Sequence, residues 1–141
     1  MAYLTQNEAF ANPAGSSAEP RDDRLLDLAH LSRQCMGDED LETEILSQFR
    51  TQSLTLVAQI SIDDSSPFAA QADIAHRLRG SALAVGAWAV ASAAEAAETC
   101  SRAWARGAPE GATRVAEMSQ AISTLSKAVL QTVAEIDRLK E

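Results

Sequence analysis

The C-terminal stretch of the chain limits its fold more than any other. Val115, Met118, Ile122, Leu125, Val129, Thr132, Ile136 and Leu139 follow one another at alternating spacings of three and four residues. That period belongs to an α-helix with a single apolar seam. At 1.5 Å per residue, about thirty residues make a rod about 45 Å long. Such a rod cannot cover its own seam and needs helices of similar length beside it. The seam can serve the core of a bundle or pair with a second copy; the bundle core is the reading adopted. Nowhere does the sequence alternate with a period of two for long enough to make a strand.

The rest of the chain supplies the other helices. Leu25, Leu28, Leu31 and Cys35 share one face of a first helix, and Asp22 and Asp23 suit its start, where carboxylates meet the positive end of the dipole. Gly37 ends it, and Asp38 is a good N-cap for the next. The second helix is predicted from Glu39 to Gln59, with Leu41, Ile45, Phe49, Leu56 and Ile60 near one stripe, widened by Leu46 and Val57. A polar break from Ser61 to Ser66 follows, including Asp63 and Asp64, and Ser66-Pro67 reads as a cap followed by proline at the first helical position. The third helix is predicted from Pro67 to Ala84, with Phe68, Gln71 or Ala72, Ala75, Leu78 and Ala82 facing inward. Gly86 marks a turn. The fourth helix, Ala87 to Arg106, is dense in alanine, and Gly107 and Pro109 stop it before the fifth.

Hydrophobic residues make up 46% of the chain but aromatics only 4%, so alanine and leucine must build the core and helix axes must approach closely. Short breaks favour antiparallel neighbours. The expected fold is all-α: an up-down antiparallel four-helix bundle with an additional short N-terminal helix. A length of 141 residues suits one domain with its own core. Residues 1–21 carry the loop formers Asn12, Pro13, Gly15, Ser16, Ser17 and Pro20 and no clear period, which predicts a flexible arm ahead of a domain over 22–141. Tyr3, Leu4 and Phe10 allow a short extra turn within that arm.

The net charge of −8 speaks against nucleic acid, which requires a basic surface. No apolar run is long enough to cross a bilayer, and the N-terminus lacks the basic and apolar regions of a signal peptide. Cys35 and Cys100 read as free thiols. A cytoplasmic monomer is the expectation. No His, Cys, Asp and Glu group has metal-ligand spacing. His30 reads as solvated, and Trp88 and Trp104 as packing or rim residues.

The informative segment is Ile74-Ala75-His76-Arg77-Leu78-Arg79-Gly80-Ser81-Ala82. With about 100° per residue, Ala75, Leu78 and Ala82 face inward together, while His76 lies about 160° from Leu78 and points to solvent. Arg79 and Gly80 are three and four residues on, one turn along the same face. Imidazole is a nucleophile that titrates near neutrality. A guanidinium fork matches the oxygens of a phosphoryl group under attack. Glycine inside a helix costs about 1 kcal/mol relative to alanine, so Gly80 needs a reason. Close helix packing is one; access for a partner's phosphorylated aspartate is another. A lone histidine on a helix is usually just solvated, and Arg77 and Arg79 can be plain surface charges. The joint spacing favours the chemical reading.

Residues 75 to 98 resemble the histidine-containing phosphotransfer (HPt) domain family, whose pattern is Ala-His-x-Leu-Lys-Gly-Ser/Ala, then Gly-Ala, then a helix ending near Leu-Glu. This chain has Ala75-His76-Arg77-Leu78-Arg79-Gly80-Ser81, then Gly86-Ala87, then Ala97-Glu98. Leu31 through Gly37-Asp38-Glu39 to Gln48-Phe49 is similar to the family's first two helices, so the resemblance spans about residues 22 to 140. Arginine for lysine at Arg79, Ala97 for leucine, and the long N-terminal arm depart from the pattern. The resemblance implies a phosphoryl carrier of a two-component phosphorelay, without kinase or phosphatase activity of its own. His76 would accept phosphate from a receiver-domain aspartate and pass it to another receiver, Arg79 would stabilise the phosphoryl group, and Gly80 would leave room for the partner. Helical phase places Ala72, Asp73 and Leu83 beside His76 as a docking surface, with Arg77 to meet acidic groups, and the resemblance adds Leu31, Met36 and Leu41. Implied partners are response-regulator receiver domains and a (hybrid) histidine kinase, with Mg2+ on the receiver and no cofactor on this chain. One alternative is a docking module that binds receivers without transfer, against which the intact His76 and Gly80 argue. A histidine-kinase dimerisation domain would place proline where Gly80 and Ser81 stand.

Overall fold

Each helix boundary has a local cause, beginning with its caps. In α1 (Leu28–Gln34) the carboxylate of Asp27 accepts the backbone N–H of His30 at 3.0 Å. In α2 (Glu39–Gln59) Asp38 does the same for Leu41 at 3.1 Å, with Glu39, Asp40 and Glu42 in the first turn. α3 (Phe68–Val85), α4 (Trp88–Ala105) and α5 (Gly111–Leu139) complete the order. The computed structural model describes residues 24–60, 68–107 and 111–140, with the backbone alone at 68 and 111–115, and no strand occurs among them. The expected arm over 1–21, the break from Ser61 to Ser66 with Pro67, and Pro109 lie outside the described residues.

The four long helices form a closed ring. α2 packs on α3 and α5, α4 packs on α3 and α5, and the diagonal pairs stay apart. Neighbours run antiparallel. On α3 and α4, Asp73 faces Arg102 and His76 faces Glu98. On α2 and α5, Leu46 lies beside Leu139, whereas Arg50, one turn later, binds Asp137 through Nε at 2.7 Å. The α5 seam is spent on this core: Met118, Leu125, Val129, Thr132 and Ile136 are buried and Ile122 is half-buried. On α4, Ala91, Ala93, Ala94 and Ala97 are buried with Val90 and Trp104. Small side chains there let α3 and α5 approach closely.

The N-terminal helix departs from the sequence expectation. It begins at Leu28, not near Asp22, because Asp27 is tied to the turn between α3 and α4. Its N–H donates to the Gly86 carbonyl at 2.9 Å, and its carboxylate accepts Trp88 Nε1–H at 3.1 Å. This anchor sets the rotation of α1, so Leu26, Leu31 and Cys35 are buried and Leu28 is exposed. Gly86 has φ +80°, and a Cβ there would sit 2.9 Å from the Asp27 carbonyl oxygen. Only glycine fits. His30 is not the solvated residue expected: Nε2 lies 3.0 Å from the Leu83 carbonyl, and its ring meets Trp88 edge-on at 4.9 Å. Both contacts bind α1 to α3 and α4.

Candidate functional site

On α3, Ala75, Leu78 and Ala82 are fully buried and hold the helix in one rotation. That rotation turns His76 outward, with 60% of its side chain exposed. α4 comes close over the neighbouring edge because Ala94 and Ala97 have no bulk, and it brings Glu98 against the imidazole. Glu98 Oε2 lies 3.1 Å and Oε1 3.3 Å from His76 Nδ1. Arg102, one turn further along α4, donates to Glu98 Oε2 from Nε at 3.0 Å, and its terminal nitrogen lies 2.9 Å from the same oxygen as an ion pair. The same terminal nitrogen stands 3.5 Å from Asp73 on α3. Arg79 lies 4.0 Å from Glu98 Oε1.

The electrostatics of this group fix the state of the imidazole. Burial pushes the Glu98 carboxyl up, but hydrogen bonds and charges from Arg102 and His76 outweigh it and hold the group below the usual carboxylate range. Glu98 is therefore ionised near neutrality and can only accept. Nδ1 of His76, which faces it, carries the proton. In the neutral ring the lone pair then sits on Nε2. Nε2 has no hydrogen-bond partner among the described residues. The arrangement presents a bare nucleophilic nitrogen to solvent, backed by a carboxylate and flanked by Arg79.

Gly80 is exposed, and a Cβ built there would meet nothing within 4 Å. Internal helix packing therefore gives no reason for this glycine. Asp73 and Arg77 are exposed, and so are Met36, Leu41 and Leu83. Leu83 is seven residues from His76, about 10 Å along α3. His30 ties α1 to that point, and α2 starts at the same end of the bundle. Two residues expected on the docking surface are not there. Leu31 is 1% exposed, turned into the core by the Asp27 anchor. Ala72 is fully buried, because it belongs to the stripe of Ala75, Leu78 and Ala82 and not to the outer face. Leu28 adds apolar surface that the sequence reading had placed inside.

Sequence reasoning held Glu98 only as part of a pattern and passed over Arg102. Their spacing of four on one helix was a readable pair signal. Their approach to His76 depends on the register of α4 against α3. Among the described residues no group of three or more His, Cys, Asp or Glu side chains is placed to hold a metal ion. No helix among them is long and apolar enough to cross a membrane.

An antiparallel ring of four helices with one outward histidine, a basic residue and a glycine one turn on describes a phosphotransfer bundle. Comparison with known families agrees: the Hpt domain profile matches residues 44–140, more than half of the chain, and the chain belongs to the Hpt domain family. The matched region starts within α2, leaving α1 and the Asp38 cap outside it. No curated protein and no solved structure gives a significant match. Family membership places the chain in phosphorelay phosphotransfer, with receiver domains and histidine kinases as the partner classes.

Proposed function

We propose that His76 accepts a phosphoryl group at Nε2 from the phosphorylated aspartate of one receiver domain and passes it to the aspartate of another. The observation that carries this reading is the Glu98 carboxylate 3.1 Å from Nδ1, with no partner on Nε2 among the described residues. The Nε2 lone pair forms the P–N bond as the P–O bond to the receiver's carboxylate breaks, and the bonding pair returns to that carboxylate. No proton need leave Nε2, because it carries none. Nδ1 keeps its proton, hydrogen-bonded to Glu98, and the carboxylate offsets the positive charge that develops on the ring. Arg79 supports the phosphoryl oxygens. Mg2+ and the acids that polarise the phosphoryl group belong to the receiver, and this chain acts as a carrier without kinase or phosphatase activity.

The receiver approaches over Gly80, where the helix surface is open. Arg77 and Arg79 suit a pocket lined with carboxylates, and Leu28, Met36, Leu41 and Leu83 offer apolar contacts toward one end of the bundle. A small interface of this kind fits transient exchange. The test is to mix the protein with a receiver domain carrying radiolabelled phosphate and to look for acid-labile, base-stable label on this chain. Label is expected on the wild type and absent from His76→Ala. Equal labelling of the two would overturn the assignment. A docking module without transfer would bind the receiver and gain no label.

A further inference from the structure

Arg102 lies outside the histidine motif and on a different helix, yet the site is built around its guanidinium. Its Nε–H donates to Glu98 Oε2 at 3.0 Å, and its terminal nitrogen is ion-paired with the same oxygen at 2.9 Å. Its outer edge reaches Asp73 on α3 at 3.5 Å. These contacts anchor Oε2 and hold the carboxylate where both oxygens stay within reach of His76 Nδ1. A carboxylate held only by the imidazole would be free to swing out to solvent along its own side chain, and the ring would then be free to exchange tautomers.

We infer that Arg102 is a positioning residue for His76, clamping the Glu98 carboxylate where it accepts the Nδ1 proton and so keeping Nε2 unprotonated. The consequence for transfer rests on the phosphoacceptor role proposed above; the clamp itself rests on geometry alone. Its rival is an ordinary surface ion pair four residues apart, which contributes little and leaves its neighbours undisturbed. The charged groups facing Glu98 are His76 and Arg79 from α3 and Arg102 from α4 itself. From α5, Glu117 acts on Cys100, which points away from Glu98 across α4.

The two readings separate on the unphosphorylated full chain. Nitrogen chemical shifts of the His76 ring report the tautomer directly in wild type, Arg102→Ala, Arg102→Lys and Glu98→Gln. The ratio of Nδ1–H to Nε2–H is expected to fall roughly threefold to tenfold in Arg102→Ala, the range for a charge-assisted hydrogen bond discounted for solvent. Phosphorylation by phosphoramidate, a small donor that needs no docking, should slow in proportion to the fraction of ring left in the Nδ1–H form, by at most the same factor. The acid limb of its pH profile should move to higher pH, because a Glu98 without Arg102 takes up its proton sooner. Arg102→Lys keeps the charge but not the fork, and should recover part of each effect. An unchanged tautomer ratio and acid limb in Arg102→Ala, with helix content intact, would overturn the clamp while leaving His76 as phosphoacceptor. A shifted tautomer in a protein whose wild type takes no phosphate would uphold the clamp and overturn the proposed function.

Discussion

Replacing Gly80 with alanine should make the protein more stable and a poorer partner. The residue lies inside α3, which runs Phe68–Val85, where glycine costs about 0.5–1 kcal/mol relative to alanine in backbone entropy. An added Cβ meets nothing within 4 Å, so no clash offsets the gain. Unfolding free energy should therefore rise by about 0.5–1 kcal/mol, or about 2–5 °C in Tm for a chain of this size. Urea melts would show a higher midpoint at unchanged slope, since the surface exposed on unfolding is the same. Transfer from phosphoramidate should stay nearly unchanged, because Nε2 is untouched. Transfer from a phosphorylated receiver should fall, modestly in Gly80→Ala and by about a hundredfold in Gly80→Gln, where a long side chain displaces the partner by an ångström or more. A less stable Gly80→Ala would show that the glycine serves internal packing. Undiminished receiver transfer in a folded Gly80→Gln would refute the account of the glycine altogether.

Arg79→Ala should slow transfer roughly tenfold to a hundredfold, as loss of one donor to a developing charge does, while Tm stays put because its nearest carboxylate is 4.0 Å away in a half-exposed pair. Gly86→Ala should destabilise by about 1–3 kcal/mol, measurable in the same urea melts, since it forces alanine to φ +80° and sets a Cβ 2.9 Å from the Asp27 carbonyl oxygen. Glu98 adds a pH dependence. Its carboxyl is held below the usual range in the fold, so its stabilisation is present above the unfolded carboxylate pKa and is lost as pH falls through the folded one. The acid limb of the urea midpoint should be shallower in Glu98→Gln, and coincident limbs would show that the carboxylate contributes nothing to stability.

Most of the architecture was legible because it is written in local patterns. The α5 seam, the Asp38 cap after Gly37 and the alanine run of α4 each predict an element, and each stands where it was expected. The misreadings in α1 share one cause, which is contact between distant segments. Asp22 and Asp23 looked like a helix start, but Asp27 is the cap because Gly86 and Trp88 hold it. That bond rotates α1, exposing Leu28, which its spacing had placed inside, and burying Leu31, which the family resemblance had placed on the docking surface. Ala72 failed differently. It is one turn from His76, but also three residues before the inward Ala75, and the two phases conflict. At the site, His76, Arg79 and Gly80 share a helix, so their grouping follows from phase. Glu98 reaches the imidazole, with Arg102 behind it, only through the register of α4 on α3, which no local spacing encodes.

A carboxylate beside the proposed phosphoryl acceptor needs its own explanation, since two anions repel at this range. The structure meets the objection by placing cations on Glu98 before any phosphate arrives. Arg102 binds one of its oxygens and Arg79 lies near the other. Glu98 also faces Nδ1, so the ring stands between it and the incoming phosphorus. Once Nε2 is phosphorylated the ring becomes cationic if Nδ1 keeps its proton, and Glu98 is then a counter-ion in contact with it. On the proposed function, the same pairing would let a chain of net charge −8 dock an acidic receiver pocket. The carboxylates nearest the imidazole are matched by arginines, and the field a receiver meets is set by Arg77 and Arg79 at close range, not by the distant acids that dominate the total.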